Sequence, residues 1–157
     1  MSTGQIGIIV YSHTGNTLSV AQKLEQALKD SGRAAVILRV EPAGDELPSA
    51  ASVRIKAAPD VAPYDAVVFA SPVHAFSLAP VMKLYLSQIS SLTGKEVSCF
   101  VTQQLKKPWL GGNRAVRQIA AACRAKGAEL KVCGVINWSS GAREEQIKDL
   151  IGKLAAR

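Results

Sequence analysis

Ser12-His13-Thr14-Gly15-Asn16-Thr17 stands between an apolar run, Gln5 to Val10, and a segment in which Leu18, Ala21, Leu24 and Leu28 recur at helical spacing. The hydrophobic period therefore changes from strand to helix across this polar loop, which places it at a helix N-terminus. First-turn amides there have no intrahelical partner and the helix dipole is positive, so a phosphate is favoured. Ser12, Thr14 and Thr17 supply hydroxyls, Asn16 an amide, and Gly15 lets the backbone approach closely. The loop holds no lysine, which excludes the nucleoside-triphosphate pattern G-x-x-x-x-G-K-[ST], and no G-x-G-x-x-G follows the strand, which excludes a dinucleotide fingerprint. One terminal phosphate monoester suits it better.

Outward from this loop, strands and helices alternate. A second strand is expected over Ala34–Val40, after a helix stop at Ser31-Gly32. Glu41 to Pro63 carries four prolines and reads as a long surface connection with a helical turn around Ser52 to Ala57. A third strand, Tyr64–Ala70, leads through the loop Ser71 to Phe76 into a helix with Leu78, Met82, Tyr85 and Ile89 on one face. The fourth strand, Val97–Val101, ends in Thr102-Gln103-Gln104. A loop with Lys106, Lys107, Pro108 and Trp109 then reaches Gly111-Gly112-Asn113 and a helix with Val116, Ile119, Ala120 and Cys123 inward, stopped at Gly127. The fifth strand, Leu130–Ile136, precedes a last helix carrying Ile147, Leu150, Ile151 and Leu154, which Asn137 to Ser140 can cap. Such alternation predicts a parallel sheet with helices on both faces and right-handed crossovers. In that architecture a ligand binds outside the carboxyl ends of the strands, so the three loops after the first, third and fourth strands qualify.

Thr14-Gly15-Asn16-Thr17 after a first strand resembles the phosphate loop of the flavodoxin family; Ser71-Pro72-Val73 and Leu110-Gly111-Gly112-Asn113-Arg114 are similar to family strings too. The resemblance covers nearly the whole chain. It implies a flavodoxin-like three-layer sandwich, one domain over residues 1–157, with a five-stranded parallel sheet in the order 2-1-3-4-5. It further implies non-covalent FMN, with Ser12, His13, Thr14, Gly15, Asn16 and Thr17 at the phosphate. The flavin ring would lie between Ser71, Pro72, Val73, His74 and Phe76 on one side and Thr102, Gln103, Gln104, Trp109, Gly111, Gly112 and Asn113 on the other. The chain departs from many flavodoxins in the loop after the third strand, which has no glycine to turn a peptide toward the ring and offers His74 and Phe76 instead. His13 reads as a solvent-facing loop residue, and Trp138 as a structural or interface residue.

The chain of 157 residues is 48% hydrophobic and 20% charged, which excludes disorder and leaves room for a real core. Without a basic leader or an apolar run of membrane-spanning length, the cytosol is the expected compartment. Three cysteines, Cys99, Cys123 and Cys133, lack C-x-x-C spacing and read as buried thiols rather than a disulfide framework or zinc site. No nucleophile and base, paired carboxylates or metal cluster stand at recognisable spacing, so redox chemistry would belong to the cofactor. The expected role is electron transfer between redox partners. The competing roles are an FMN-dependent NAD(P)H or quinone-type reductase, or a flavodoxin-like protoporphyrinogen dehydrogenase, and more remotely a basic module for nucleic acid or an acidic protein. Residues 76–157 hold 13 Lys/Arg against 5 Asp/Glu, whereas residues 1–75 hold 6 against 7. The excess gathers at Lys106, Lys107, Arg114, Arg117, Arg124, Lys126 and Lys131, with Glu129 opposing, and suits an acidic partner.

Overall fold

The computed structural model describes residues 5–13, 15–43, 54–74, 76–104 and 111–155. Strand β1 (Ile6–Val10) is buried along its whole length and has parallel neighbours on both sides. They are β2 (Ala35–Arg39), reached through α1 (Asn16–Asp30), and β5 (Ala66–His74). Two short strands, β3 (Glu41–Pro42) and β4 (Ile55–Ala57), pair antiparallel in the connection between β2 and β5. Beyond β5 come β6 (Ser77–Leu78), α2 (Pro80–Gln88), β7 (Glu96–Gln103), α3 (Gly112–Ala125), β8 (Leu130–Asn137) and α4 (Arg143–Ala155). The sheet runs β2-β1-β5-β7-β8, which is the expected order 2-1-3-4-5 once the long strands are counted alone. Its one antiparallel member is β6, folded back on the end of β5.

Each face of the sheet carries its own core. On one, Val20, Ala21, Leu24 and Leu28 of α1 and Ile147, Leu150 and Leu154 of α4 cover Ile8, Val10, Val68 and Phe100. On the other, Met82, Tyr85 and Leu86 of α2 and Ala115, Ile119 and Cys123 of α3 cover Ile9, Phe69, Cys99 and Val101. Because alternate residues of a strand point to opposite faces, Ile8 and Val10 serve one core while Ile9 serves the other. Fully burying a side chain of this size stabilises by about 1.5–3 kcal/mol, so the doubly covered central strands anchor the molecule.

Several expectations shift. The helical turn predicted around Ser52 to Ala57 falls partly outside the described residues. Its described end is strand: Ile55–Ala57 pairs with Glu41–Pro42, and the Ala43 amide donates to the Arg54 carbonyl at 2.9 Å. The third long strand continues past Ala70 to His74 because Ser71 and Pro72 still find register partners in Val101 and Thr102, and β6 pairs with Val73 and His74. Leu78 consequently belongs to that hairpin and not to the following helix, which begins at Pro80, where a proline costs no hydrogen bond. Ile89 lies just past the same helix, still buried. Among the cysteines, Cys99 and Cys123 are buried as expected, but Cys133 is exposed, since it sits on the edge strand β8. No helix among the described residues is long and apolar enough to cross a membrane.

Gly111, with φ +124°, brings the start of α3 against the β5–β6 turn. A Cβ there would stand 2.8 Å from the Phe76 Cα and 3.0 Å from Val73 Cγ1. At Gly15, φ +95°, a Cβ would meet nothing within 4 Å. Gly111→Ala should therefore cost about 3 kcal/mol of unfolding free energy, from strain plus backbone collision, and Gly15→Ala about 1 kcal/mol from strain alone. Denaturant unfolding of the two variants checks the difference.

Candidate functional site

The carboxyl ends of β1, β5 and β7 meet at one rim of the sheet, and the start of α1 closes over them. At that rim His13 and Asn16, Pro72, Val73 and His74, and Thr102, Gln103 and Gln104 line a cleft of ≈ 180 Å³. A larger hollow of ≈ 530 Å³, with Asp60, Tyr85 and Lys95 in its wall, opens at the opposite, amino-terminal ends of β5 and β7. The Tyr85 phenol there is raised above its ordinary range, by burial first and Asp60 second, so it keeps its proton and donates to the Pro59 carbonyl. That end lies away from the strand termini where parallel sheets bind ligands, and the smaller cleft is the candidate site.

The first wall is the turn into α1. Gly15 takes the left-handed conformation immediately before the helix. The Ser12 hydroxyl accepts from the Gly15 and Leu18 amides, each at 3.2 Å, and so satisfies donors that the helix start leaves open. Thr17 turns inward: it is 1% exposed, and its hydroxyl lies 2.7 Å from that of Thr102, also buried. This bond joins the loop to the end of β7. Gly15 is exposed and Asn16 half-buried, and Thr14 lies outside the described residues.

Of the second wall, Ser71 is fully buried and its hydroxyl donates to the Pro72 carbonyl at 3.0 Å. Phe76 is 58% exposed and holds φ +61°, the left-handed conformation that a glycine adopts more cheaply. The turn thus obtains its bend without the missing glycine.

His74 carries the main electrostatic feature. Its ring stands edge-on to Tyr11, centroids 6.0 Å apart, and edge-on to His13 at 5.9 Å. Burial, and then the neighbouring His13, hold the His74 imidazole below the ordinary histidine value, so it is neutral at pH 7 and has one N–H to donate. His13, expected to face solvent, is half-buried and packs beside His74. Sequence reasoning passed over Tyr11, buried directly after β1, although an aromatic between the strand and the polar loop was the available signal.

The third wall is the end of β7. Gln103 donates from Nε2 to Asn137 Oδ1, and the Asn137 backbone N–H donates to Gln146 Oε1 at 2.9 Å, so α4 supports this rim. Gly112, beside the cleft, has Val135 Cγ1 2.5 Å and Gln103 Oε1 3.1 Å from where a Cβ would sit. Gly111 and Gly112 are both buried, and the geometry accounts for them as close packing; Asn113 is exposed. Trp109, with Lys106 and Lys107, lies outside the described residues. Trp138 is held by Arg143, whose guanidinium lies 4.7 Å over its ring and donates to its carbonyl at 3.0 Å. Among the described residues no group of three or more His, Cys, Asp or Glu could hold a metal ion.

A family model described as a flavodoxin domain matches residues 7–109. No curated protein matches the sequence. Among solved structures, oxidised flavodoxin 2 of Bacillus cereus is 20% identical with a TM-score of 0.70, over 97% of this chain and 98% of that one. The flavodoxin of Fusobacterium nucleatum bound to flavin mononucleotide is 13% identical, TM-score 0.64, over 97% of each chain. The rubredoxin oxygen:oxidoreductase of Desulfovibrio gigas is 16% identical, TM-score 0.68; the match takes 99% of this chain but only 36% of that one.

The His13–His74 contact sets a titration. Because the folded-state value of His74 is depressed, its contribution to stability is complete above the unfolded value, about 6.5, and is lost as pH falls through the folded one. In NMR titration the His74 ring should have its midpoint below about 6.5 and move upward in His13→Ala, where the neighbouring charge is gone.

Proposed function

The chain belongs to the flavodoxin domain family, and from that premise we propose that it binds one FMN without covalent attachment and passes electrons between redox partners. The observation that carries this reading is the cleft itself, where a helix N-terminus and the ends of β5 and β7 face one another across a gap lined by His13, Asn16, Val73, His74 and Thr102. The donor set fits FMN. The Asn16 side chain and the first-turn N–H groups that Ser12 leaves open suit a phosphate without a cation of their own, and the open space over Gly15 leaves room for it. Pro72, Val73 and the two imidazoles suit the edge of a flat ring.

In this reading Ser12 to Thr17, Thr14 included, hold the phosphate. Within the loop Thr17 acts as the tie to Thr102 and Ser12 as the cap on the Gly15 and Leu18 amides, while Asn16 faces the cleft. Ser71 to His74, with Phe76, flank the ring on one side; Thr102 to Gln104, Trp109 and Gly111 to Asn113 flank it on the other. Neutral His74 offers its N–H to a ring carbonyl without adding a charge. Bound FMN supplies the electron chemistry, and the chain's part is position, exclusion of water and field. Arg114, Arg117 and Arg124 stand exposed along α3, with Arg124 paired to Glu129 at 3.6 Å. This basic face supports an acidic partner protein or an anionic acceptor. The free thiols Cys99, Cys123 and Cys133 suit a reducing cytoplasm.

Titration with FMN and with riboflavin tests the cofactor. Each charge-assisted hydrogen bond to phosphate contributes about 1.5–3 kcal/mol, so FMN should bind more tightly by tenfold or more, with its visible bands shifted from those of free FMN. Asn16→Ala should weaken FMN about tenfold and leave riboflavin nearly unchanged. Equal affinities for the two ligands would defeat the proposal. Steady oxidation of NADPH by the FMN-loaded chain alone would move it from carrier to reductase.

The basic face has its own test. Reoxidation of the reduced, FMN-loaded chain by ferricyanide should slow as ionic strength rises. The Arg114→Glu, Arg124→Glu double variant should be slower at low salt and flatter in its salt dependence, measured by stopped flow.

A further inference from the structure

We propose that Cys133 and Cys99 form a hydroperoxide-responsive thiol pair, in which Cys133 meets the oxidant in the groove between α3 and the outer edge of β8, and Cys99 closes a disulfide behind it. Three observations meet here. The two cysteines are register partners on adjacent parallel strands, so their side chains share one face of the sheet. Neighbouring strands lie about 4.8 Å apart, within the roughly 4.4–6.8 Å that separates the Cα atoms of disulfide-bonded cysteines. The two differ sharply in access: Cys99 is fully buried, whereas Cys133 is exposed and lines an open groove of ≈ 450 Å³ with Asn113, Val116, Arg117, Gly134 and Val135. One thiol of the pair is reachable and the other is protected, the arrangement of an attacking and a resolving cysteine.

The surrounding groups favour this division of labour. The Cys99 S–H beside it holds the Cys133 thiol below its ordinary value, which favours the thiolate there, and the same contact, with burial, pushes Cys99 well up. Cys123, inward from α3, is raised to about 12 by burial first and by Cys133 second, and so stays a thiol. The groups around Cys133 are thus Cys99 on β7 and, on α3, Cys123 and Arg117, an exposed cation in the groove wall suited to attract an anion or a polarised O–O bond.

The chemistry balances with a hydroperoxide as the sole oxidant. The Cys133 thiolate attacks the terminal peroxide oxygen, the O–O bond breaks, and Cys133 sulfenic acid and an alcohol (water, from hydrogen peroxide) result once a solvent proton is taken up. The Cys99 sulfur then attacks the Cys133 sulfur, the S–OH bond breaks, and the Cys99 proton leaves with the hydroxyl as water. Two thiols lose two electrons and the peroxide gains them. The product would link β7 to β8 three positions before Thr102, within the strand that ends at the candidate cleft.

The test treats the full chain with hydrogen peroxide in the dark, with and without added FMN, followed by intact-mass and peptide mapping. The expected result is an intramolecular disulfide joining Cys99 and Cys133, reversed by dithiothreitol. Cys99→Ser and Cys99→Ala should instead hold a sulfenic acid at Cys133, captured by dimedone, and Cys133→Ser should lose both products. The wild-type mapping decides the matter even where a Cys99 variant does not fold. A disulfide or dimedone adduct at Cys123, a disulfide between two copies, or a chain left unmodified while free cysteine is oxidised would each overturn the proposal.

Discussion

Burial of the central strand on both faces is the constraint from which the molecule follows. Ile6 to Val10 can neither face water nor pair antiparallel with a near neighbour in sequence, because its partners on both sides are parallel. Each parallel pairing requires a crossover, and α1, α2, α3 and α4 supply the two layers that keep both faces dry. The same requirement sends every long strand out of the sheet at one rim. The cleft is therefore a by-product of how the core is closed, and its polar groups come from residues released at the ends of buried strands.

What could be read from residues alone was whatever depends on local period. The apolar runs at β1, β5, β7 and β8 and the spacing of Leu24, Ile119 and Leu150 marked the layers, and topology then grouped the loops. What escaped depends on contacts distant in sequence. Ile55–Ala57 looks helical in isolation and becomes a strand only because Glu41 and Pro42 offer it a partner. The extension of β5 through Pro72 rests on pairing with Thr102 and on the turn at Phe76. Within the site, the loop sequence advertised hydroxyls but could not say that Thr17 would face Thr102.

The rim combines groups that are fixed with groups that are free to respond. Thr17–Thr102 and Gln103–Asn137 are buried, and Gln146 ties the latter to α4, so these bonds brace the walls against the core. His13 and His74, by contrast, meet through ring edges only, and protonating both would place two positive charges side by side. Rigid walls around a pair of titratable rings allow the field at the cleft to change while its shape does not.

The two outer strands carry a different consequence. Among the described residues β2 and β8 pair on one side only, so each presents a row of backbone donors and acceptors to any chain that approaches. Long exposed edges of this kind invite sheet-to-sheet addition and fibre growth. Arg39 lies exposed at the end of β2, Lys131 lies exposed on β8, and Arg117 of α3 lines the groove beside β8. With a formal net charge of +7, two copies meeting edge to edge must bring like charges together before any backbone bond can form. On the β8 side the basic surface thus sets like charge against like wherever two copies would meet edge to edge.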